Sequence, residues 1–185
     1  MENQRVRMSK KLLKEALISL LAEKNIEKIT IYELCERATI NRTTFYKYYG
    51  SQYDLLDEIE ADTFAFIEKE LRDNPLNPVS QITTILHYAR ENIKTMRVLT
   101  ESTTDKEFAV KLFSLPVIRE GILRQTPQGL PAELSEYLLA FYSNGWYAII
   151  RQWLQQGAPG DTTELAHFLF ALSEMNSNLT AISLS

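Results

Sequence analysis

Thr30–Gln52, TIYELCERATINRTTFYKYYGSQ, gathers hydroxyl, phenol and cationic groups at helical spacing. Its densest part is Arg42–Tyr49, where Arg, two Thr, Phe, three Tyr and Lys follow one another in eight residues. A helix that only packed would carry more aliphatic side chains, and one that only met water would not need four aromatics. Such a helix suits a DNA major groove. Arg can pair with guanine, Thr methyls can meet thymine methyls, and Tyr and Lys can reach phosphate. Arg42, Thr43 and Thr44 are therefore candidates for base edges. Tyr46, Lys47 and Tyr48 follow on the same insertion surface. Phe45 and Tyr49 are assigned to the core.

Two short helices must position these groups. Thr30 and Glu33 have the spacing of a capping box and start the first, near 30–38, with Leu34 and Ala38 on one face and Ile31 and Cys35 beside them. Thr39-Ile40-Asn41 interrupts the pattern, and Asn41 is an N-cap for the second, near 42–48. The first helix should aim free N–H groups at a phosphate, which adds Thr30, Ile31 and Tyr32 to the candidate contacts.

The rest of the 185-residue chain reads as helix after helix. A first helix near 9–24, capped by Ser9, carries the stripe Leu12, Leu13, Ala16, Leu17, Leu20, Leu21. Lys10, Lys11 and Lys14 lie off that stripe, facing either a DNA backbone or water. Arg5 and Arg7 mark a short basic arm. A Ser51–Asp54 box opens a long fourth helix to about residue 72. Asp73–Pro78 breaks it. Further helices are expected at 79–97, from Thr104 to about 114, and from Pro116 to about 125. After the breaker Thr126–Pro131 come two strong helices, 132–156 with Gly157 as its stop, and one opening at Asp161. No stretch alternates with period two. The expected fold is all-α with about nine helices: a three-helix DNA-binding domain at 1–50, a connecting helix at 51–73, and a regulatory and dimerisation domain at 74–185.

Charge divides along the same line. Residues 1–49 hold ten Lys/Arg and six Asp/Glu, a net of +4, whereas residues 50–185 carry −8. A basic head on an acidic body suits a DNA-reading module joined to a domain with other business. The single Cys35 excludes an intramolecular disulfide and fits a reducing compartment; it reads as a small buried hydrophobe. No leader-like apolar segment and no membrane-length run are present, so the expected location is cytoplasmic. His87 and His167 stand apart, and no metal-ligand spacing, Gly-rich phosphate loop or nucleophile elbow occurs. Neither catalysis nor a cofactor is implied.

The first sixty residues resemble the DNA-binding domain of the TetR family of bacterial regulators. The resemblance is carried by Thr30–Ala38, by Thr39–Tyr49 with its T-F-Y-x-Y-Y core, and by Leu55–Ile59. It implies a helix-turn-helix with Phe45 turned inward, double-stranded palindromic DNA as partner, and a homodimer. Two residues depart from the pattern. Thr39 stands where the turn usually has Ala or Gly, and Gln52 where a phosphate-binding Lys is frequent; Gln52 can still donate a neutral hydrogen bond. Gly145-Trp146, Trp153-Leu154 and Gly157 are similar to a C-terminal domain of some regulators from low-GC Gram-positive bacteria. In that domain Tyr88, Phe108, Phe113, Tyr142 and Trp146 either line an effector cavity or fill a solid core. The two closing helices are wider in apolar surface than one core face needs, which predicts a four-helix dimer interface. Arg119 and Arg124 are the nearest cations for an anionic effector. The function implied is a DNA-binding repressor released by a small molecule; the alternative is an adaptor whose C-terminal domain meets a protein.

Overall fold

The computed structural model describes residues 4–73, 77–101, 105–124 and 130–174. Those residues form ten α-helices and no strand. The helices are α1 (Gln4–Leu21), α2 (Ile31–Ala38), α3 (Arg42–Phe45), α4 (Gln52–Asp73), α5 (Pro78–Glu91), α6 (Ile93–Glu101), α7 (Asp105–Phe113), α8 (Pro116–Leu123), α9 (Ala132–Gln155) and α10 (Thr162–Glu174). A 3-10 turn at Ile26–Lys28 links α1 to α2.

The all-α expectation holds, with one helix more than the nine expected. The predicted helix 79–97 is two helices. They meet at Asn92 (φ −105°, ψ 31°), whose side chain donates to the Tyr88 carbonyl at 2.9 Å. An amide that bonds the local backbone competes with helix continuation, and the apolar spacing carries through the break and hides it. Ser9 does not cap α1. The helix begins at Gln4, and the Ser9 hydroxyl donates back to the Arg5 carbonyl at 3.0 Å. The residues ahead of it are mostly good helix formers, so the chain stays helical through Ser9. Thr104, expected to open the sixth helix, lies outside the described residues, as does Met175 at the end of the last.

Leu13, Leu17 and Leu20 of α1 are fully buried with Leu34 of α2, Phe45 of α3 and Leu55 of α4. The same apolar cluster runs on without a break to Leu86, Leu99, Phe108, Leu154 and Leu169. The head therefore shares its core with the body. A smaller cluster of Ile122, Leu139 and Tyr142 lies between α8 and α9, with Phe113 packed against it.

α4 is the shared beam. Its 22 residues span about 33 Å at 1.5 Å per residue. It starts in a complete reciprocal box: Asp54 accepts from the Gly50 and Ser51 N–H groups at 2.7 and 3.2 Å, and the Ser51 hydroxyl accepts from the Asp54 N–H at 3.3 Å. On one side, Glu58 and Asp62 take Lys14 of α1 at 2.8 and 2.6 Å. On another, Glu60, only 3% exposed, takes Lys111 of α7 at 2.7 Å. Phe64 stacks on Phe108, and Phe66 stacks on Tyr88.

The long helix α9 ends in a left-handed stop. Gly157 (φ 88°) lets the Ala158 N–H return to the Trp153 carbonyl at 2.9 Å, as the position of Gly157 predicts. The Trp153 indole N–H then donates to the Pro159 carbonyl and fixes the turn into α10. Asp161 caps α10 by accepting from the Thr163 N–H at 2.7 Å.

Candidate nucleic-acid interface

The α2–turn–α3 unit is built from local signals. The Thr30 hydroxyl accepts from the Glu33 N–H at 3.2 Å, which caps α2. The box is not reciprocal, because the Glu33 carboxylate turns to Lys24 at 2.6 and 2.7 Å. The N-terminal turn of α2 thus keeps unspent N–H groups, as an anion-facing helix end requires. α2 stops at Thr39, whose φ of 55° and ψ of 39° are left-handed. The Thr39 N–H donates to the Glu36 carbonyl at 3.1 Å and the Ile40 N–H to the Cys35 carbonyl at 2.9 Å, the paired bonds of a Schellman stop. Asn41 caps α3 by accepting from the Thr43 N–H at 2.8 Å.

α3 proper is one turn long, and Tyr46–Tyr48 continue it as hydrogen-bonded turns. Phe45 is fully buried and meets Tyr46 edge-on and Tyr49 at a tilt. Burying such a ring contributes about 2–3 kcal/mol, enough to hold a short helix that would not persist alone. With Phe45 turned inward, Asn41, Arg42, Thr43, Tyr46 and Lys47 are exposed, and Tyr46 keeps 59% of its surface. Thr30 and Tyr32 are exposed beside them on α2. Thr44, Tyr48, Ile31 and Gln52 are half-buried. Ile31 and Tyr48 pack against the core, and Gln52 is the first residue of α4. Tyr53, not singled out by the sequence, exposes its phenol next to Gln52. A lone tyrosine in a helix's first turn carries no sequence signal that separates a contact from a solvated ring.

The cations fall into two groups. Lys10 and Lys14, weighed above as phosphate ligands, are engaged within the fold. Lys10 meets Glu58 at 3.3 Å and lies over the Tyr48 and Tyr49 rings, and Lys14 bridges Glu58 and Asp62. Burial pushes the Glu58 carboxyl up, but Lys14, helped by Tyr49 and Lys10, outweighs it and holds the group below the usual carboxylate range. Burial likewise lowers Lys14, and its bonds to Asp62 and Glu58 more than reverse this. Arg37 spends its guanidinium edge on Ser19 at 2.8 Å and Glu23 at 2.9 Å. Arg42 and Lys47 form no ion pair among the described residues. Cys35 is buried and its thiol is pushed up by desolvation, which suits an inert packing role.

The five aromatics weighed as lining an effector pocket or filling a solid core divide between two apolar clusters. Phe108 is stacked inside the main core and Tyr88 against Phe66. Tyr142 and Phe113 belong to the smaller cluster, and Trp146 packs at the edge of the main one. Tyr88 alone of the five also lines a broad open groove between α1, α4 and α5–α6. The half-buried Arg119 pairs with Glu136, and the exposed Arg124 lies near Glu120. Outside these regions, Tyr137 and Phe141 of α9 and Phe168 of α10 are exposed, Phe141 by 69%. Among the described residues no cluster of His, Cys, Asp or Glu has the arrangement of a metal site, and no helix is long and apolar enough to cross a membrane.

Comparison with known proteins agrees with this geometry. Residues 13–59 match the family described as bacterial regulatory proteins, tetR family, and residues 77–175 match the transcriptional regulator C-terminal region. YxbF of Bacillus subtilis (strain 168), described as an uncharacterized HTH-type transcriptional regulator, is 25% identical over 169 residues. Those residues are 86% of this chain but 43% of that relative, so the chain spans less than half its length. A TetR transcriptional regulator from Streptococcus agalactiae 2603V superposes with a TM-score of 0.67 at 24% identity, covering 92% of this chain and 96% of that one. The fatty acid degradation regulator FadR from Bacillus halodurans gives 0.66 at 12% identity, covering 96% and 98%. The dihydroxyacetone kinase operon activator DhaS gives 0.61 at 18%, covering 92% and 97%. These similarities establish a shared fold, and the family matches span both halves of it. The chain belongs to the TetR family of bacterial transcriptional regulators.

Proposed function

We propose that this chain is a homodimeric repressor that occupies a palindromic operator with one α3 in each of two successive major grooves. The observation that carries it is the division of α3, with Phe45 fully buried while Arg42, Thr43, Tyr46 and Lys47 stand exposed on one surface. Thr30 and Ile31 at the start of α2, together with Gln52 at the start of α4, flank that surface and serve phosphates, and Tyr32 stands exposed beside Arg42. A dimer is supported by the exposed aromatics Tyr137, Phe141 and Phe168, which α9 and α10 leave unburied in a single subunit.

Release by a small molecule is the first reading of the C-terminal domain. The effector must bind one spacing of the two heads better than the other, since that difference is the only source of free energy for the switch. A protein partner in place of a small molecule is the second reading. It is favoured by one observation, that the five candidate pocket aromatics divide between two apolar clusters, Tyr88, Phe108 and Trp146 with the main one and Phe113 and Tyr142 with the smaller.

Selection of bound sequences from random duplex DNA with the purified full chain tests the proposal. Enrichment of a palindrome with half-sites about one helical turn apart is expected. Absence of any enriched sequence overturns sequence-specific binding, and a single half-site without symmetry overturns the dimer.

A further inference from the structure

We propose that Tyr32 is a specificity-positioning residue that works through Arg42, holding its guanidinium ready for a base edge, and is not a phosphate ligand in its own right. The inference rests on the DNA-binding reading above and assigns a role within the same surface.

The two residues come from different helices. Tyr32 is in the first turn of α2 and Arg42 begins α3. The Arg42 guanidinium carbon lies 5.9 Å from the centre of the Tyr32 ring, within reach of a cation–π contact. Tyr32 is 61% exposed, so its ring is not there to fill the core. A guanidinium held near an aromatic ring and not by a carboxylate leaves its N–H edge open. That edge is the part that pairs bidentately with guanine O6 and N7.

Arg37 shows the opposite arrangement on the same helix pair. Its N–H edge is consumed by Ser19 and Glu23, and both partners would have to be displaced before it could read anything. Arg42 has no carboxylate partner among the described residues. The nearby Glu33 is held by Lys24 instead. A long, solvated arginine loses rotamer freedom when it docks. A ring already beside it removes part of that loss before DNA arrives, and the gain appears only where Arg42 meets its base.

The test uses the full chain and the duplex enriched by random-sequence selection. Binding is measured to that duplex and to single base-pair variants, for Tyr32→Leu, Tyr32→Phe, Arg42→Ala and the double variant Tyr32→Leu/Arg42→Ala. Arg42→Ala is expected to identify the base pair whose preference it carries. Tyr32→Leu should lower preference at that same base pair about two- to fivefold, the range of an exposed cation–π contact. Tyr32→Phe should keep it, because the ring remains. In the Arg42→Ala background, Tyr32→Leu should change nothing further.

The assignment is overturned by equal loss on enriched and random DNA with Tyr32→Leu, by equal loss with Tyr32→Phe, or by an effect of Tyr32→Leu that persists without Arg42. Enrichment of a palindrome with no base preference lost in Arg42→Ala also overturns it, and leaves the DNA-binding reading standing. Failure to enrich any sequence defeats that reading itself. Circular dichroism melting of each variant separates these outcomes from misfolding, which the exposure of both side chains argues against.

Discussion

The head and the body of this molecule use aromatic residues in opposite ways. In the head, Phe45 goes inside so that Tyr46 and, on α2, Tyr32 stay outside. In the body, Phe108 and Tyr142 go inside, and Phe141 and Phe168 are left on the flank of the closing helices. A phenol with an exposed hydroxyl suits a charged, wet polyanion, whereas an exposed Phe has nothing to offer a phosphate and suits a second apolar surface. Under the function proposed above the same residue class marks two kinds of interface, and the neighbouring cations distinguish them. Arg42 and Lys47 accompany the head's tyrosines. Phe141 sits one residue from Tyr142, with no cation within its own helical turn in either direction.

The largest effect should come from the ring that makes the division possible. Phe45→Ala should cost about 3–5 kcal/mol, read by urea unfolding. Because one apolar cluster joins head and body, the loss should appear as a lower midpoint of a single transition. Two separated transitions would show that the head and body fold independently and would break the comparison at its base.

Next is the body's own exposed ring. Phe141→Glu should shift the dimer toward monomer by more than tenfold in sedimentation velocity, as a charge placed in a buried interface centre does. An unchanged dimer would remove α9 from the interface. Within the head, Arg42→Ala should cost about 1–3 kcal/mol at particular base pairs. Lys47→Ala should instead weaken binding to all sequences and reduce the slope of log affinity against log salt by about 0.9. Equal losses on operator and random DNA for both variants would erase the division between base reading and phosphate binding.

A smaller effect sits in the turn. Thr39 is β-branched and left-handed, a conformation that Gly adopts without steric cost. Thr39→Gly should therefore stabilise the protein by about 1 kcal/mol, after allowance for the freer unfolded chain. No gain in thermal melting would mean that the Thr39 side chain makes up the strain elsewhere.

The smallest effect is in acid. Asp54 is held below its ordinary value of 3.8 by the Ser51 hydroxyl and the Gly50 N–H, and Glu58 is held below 4.5 against its burial by Lys14. Both folded-state values are depressed, so the stability they contribute is present in full above about pH 5 and is lost as pH falls through the folded values. The melting temperature should be flat from pH 7 to about pH 5 with respect to these groups and then decline. Asp54→Asn should make the decline shallower, because one of the two depressed carboxyls is gone.

Much of this was legible along the chain because its causes are local. Thr30, Asn41, Ser51 and Asp161 cap helices within three residues of themselves, and Gly157 stops α9 by its own backbone freedom. The burial of Phe45 and the exposure of Tyr46 follow from a spacing and a resemblance that a short window contains. The same windows misplace what competes locally, as at Asn92, where a side-chain amide ends a helix whose apolar pattern runs on, and at Ser9, where a good cap residue sits inside a longer helix.

What only the tertiary structure decided are the pairings between distant segments. Lys10 and Lys14 looked like free cations until α4 brought Glu58 and Asp62 against them, 48 residues away. Glu60 could not be known to be buried, nor Lys111 to be its partner, before α4 met α7. Tyr32 and Arg42 are ten residues apart on different helices, and the turn at Thr39 sets one beside the other. The sequence alone determines helices, caps and the exposed surface proposed to meet DNA, because backbone hydrogen bonds and apolar periodicity act over three or four residues. Which charges remain available on that surface is a property of packing, since a cation is free or spent according to whichever carboxylate or ring the fold places within a few ångströms of it.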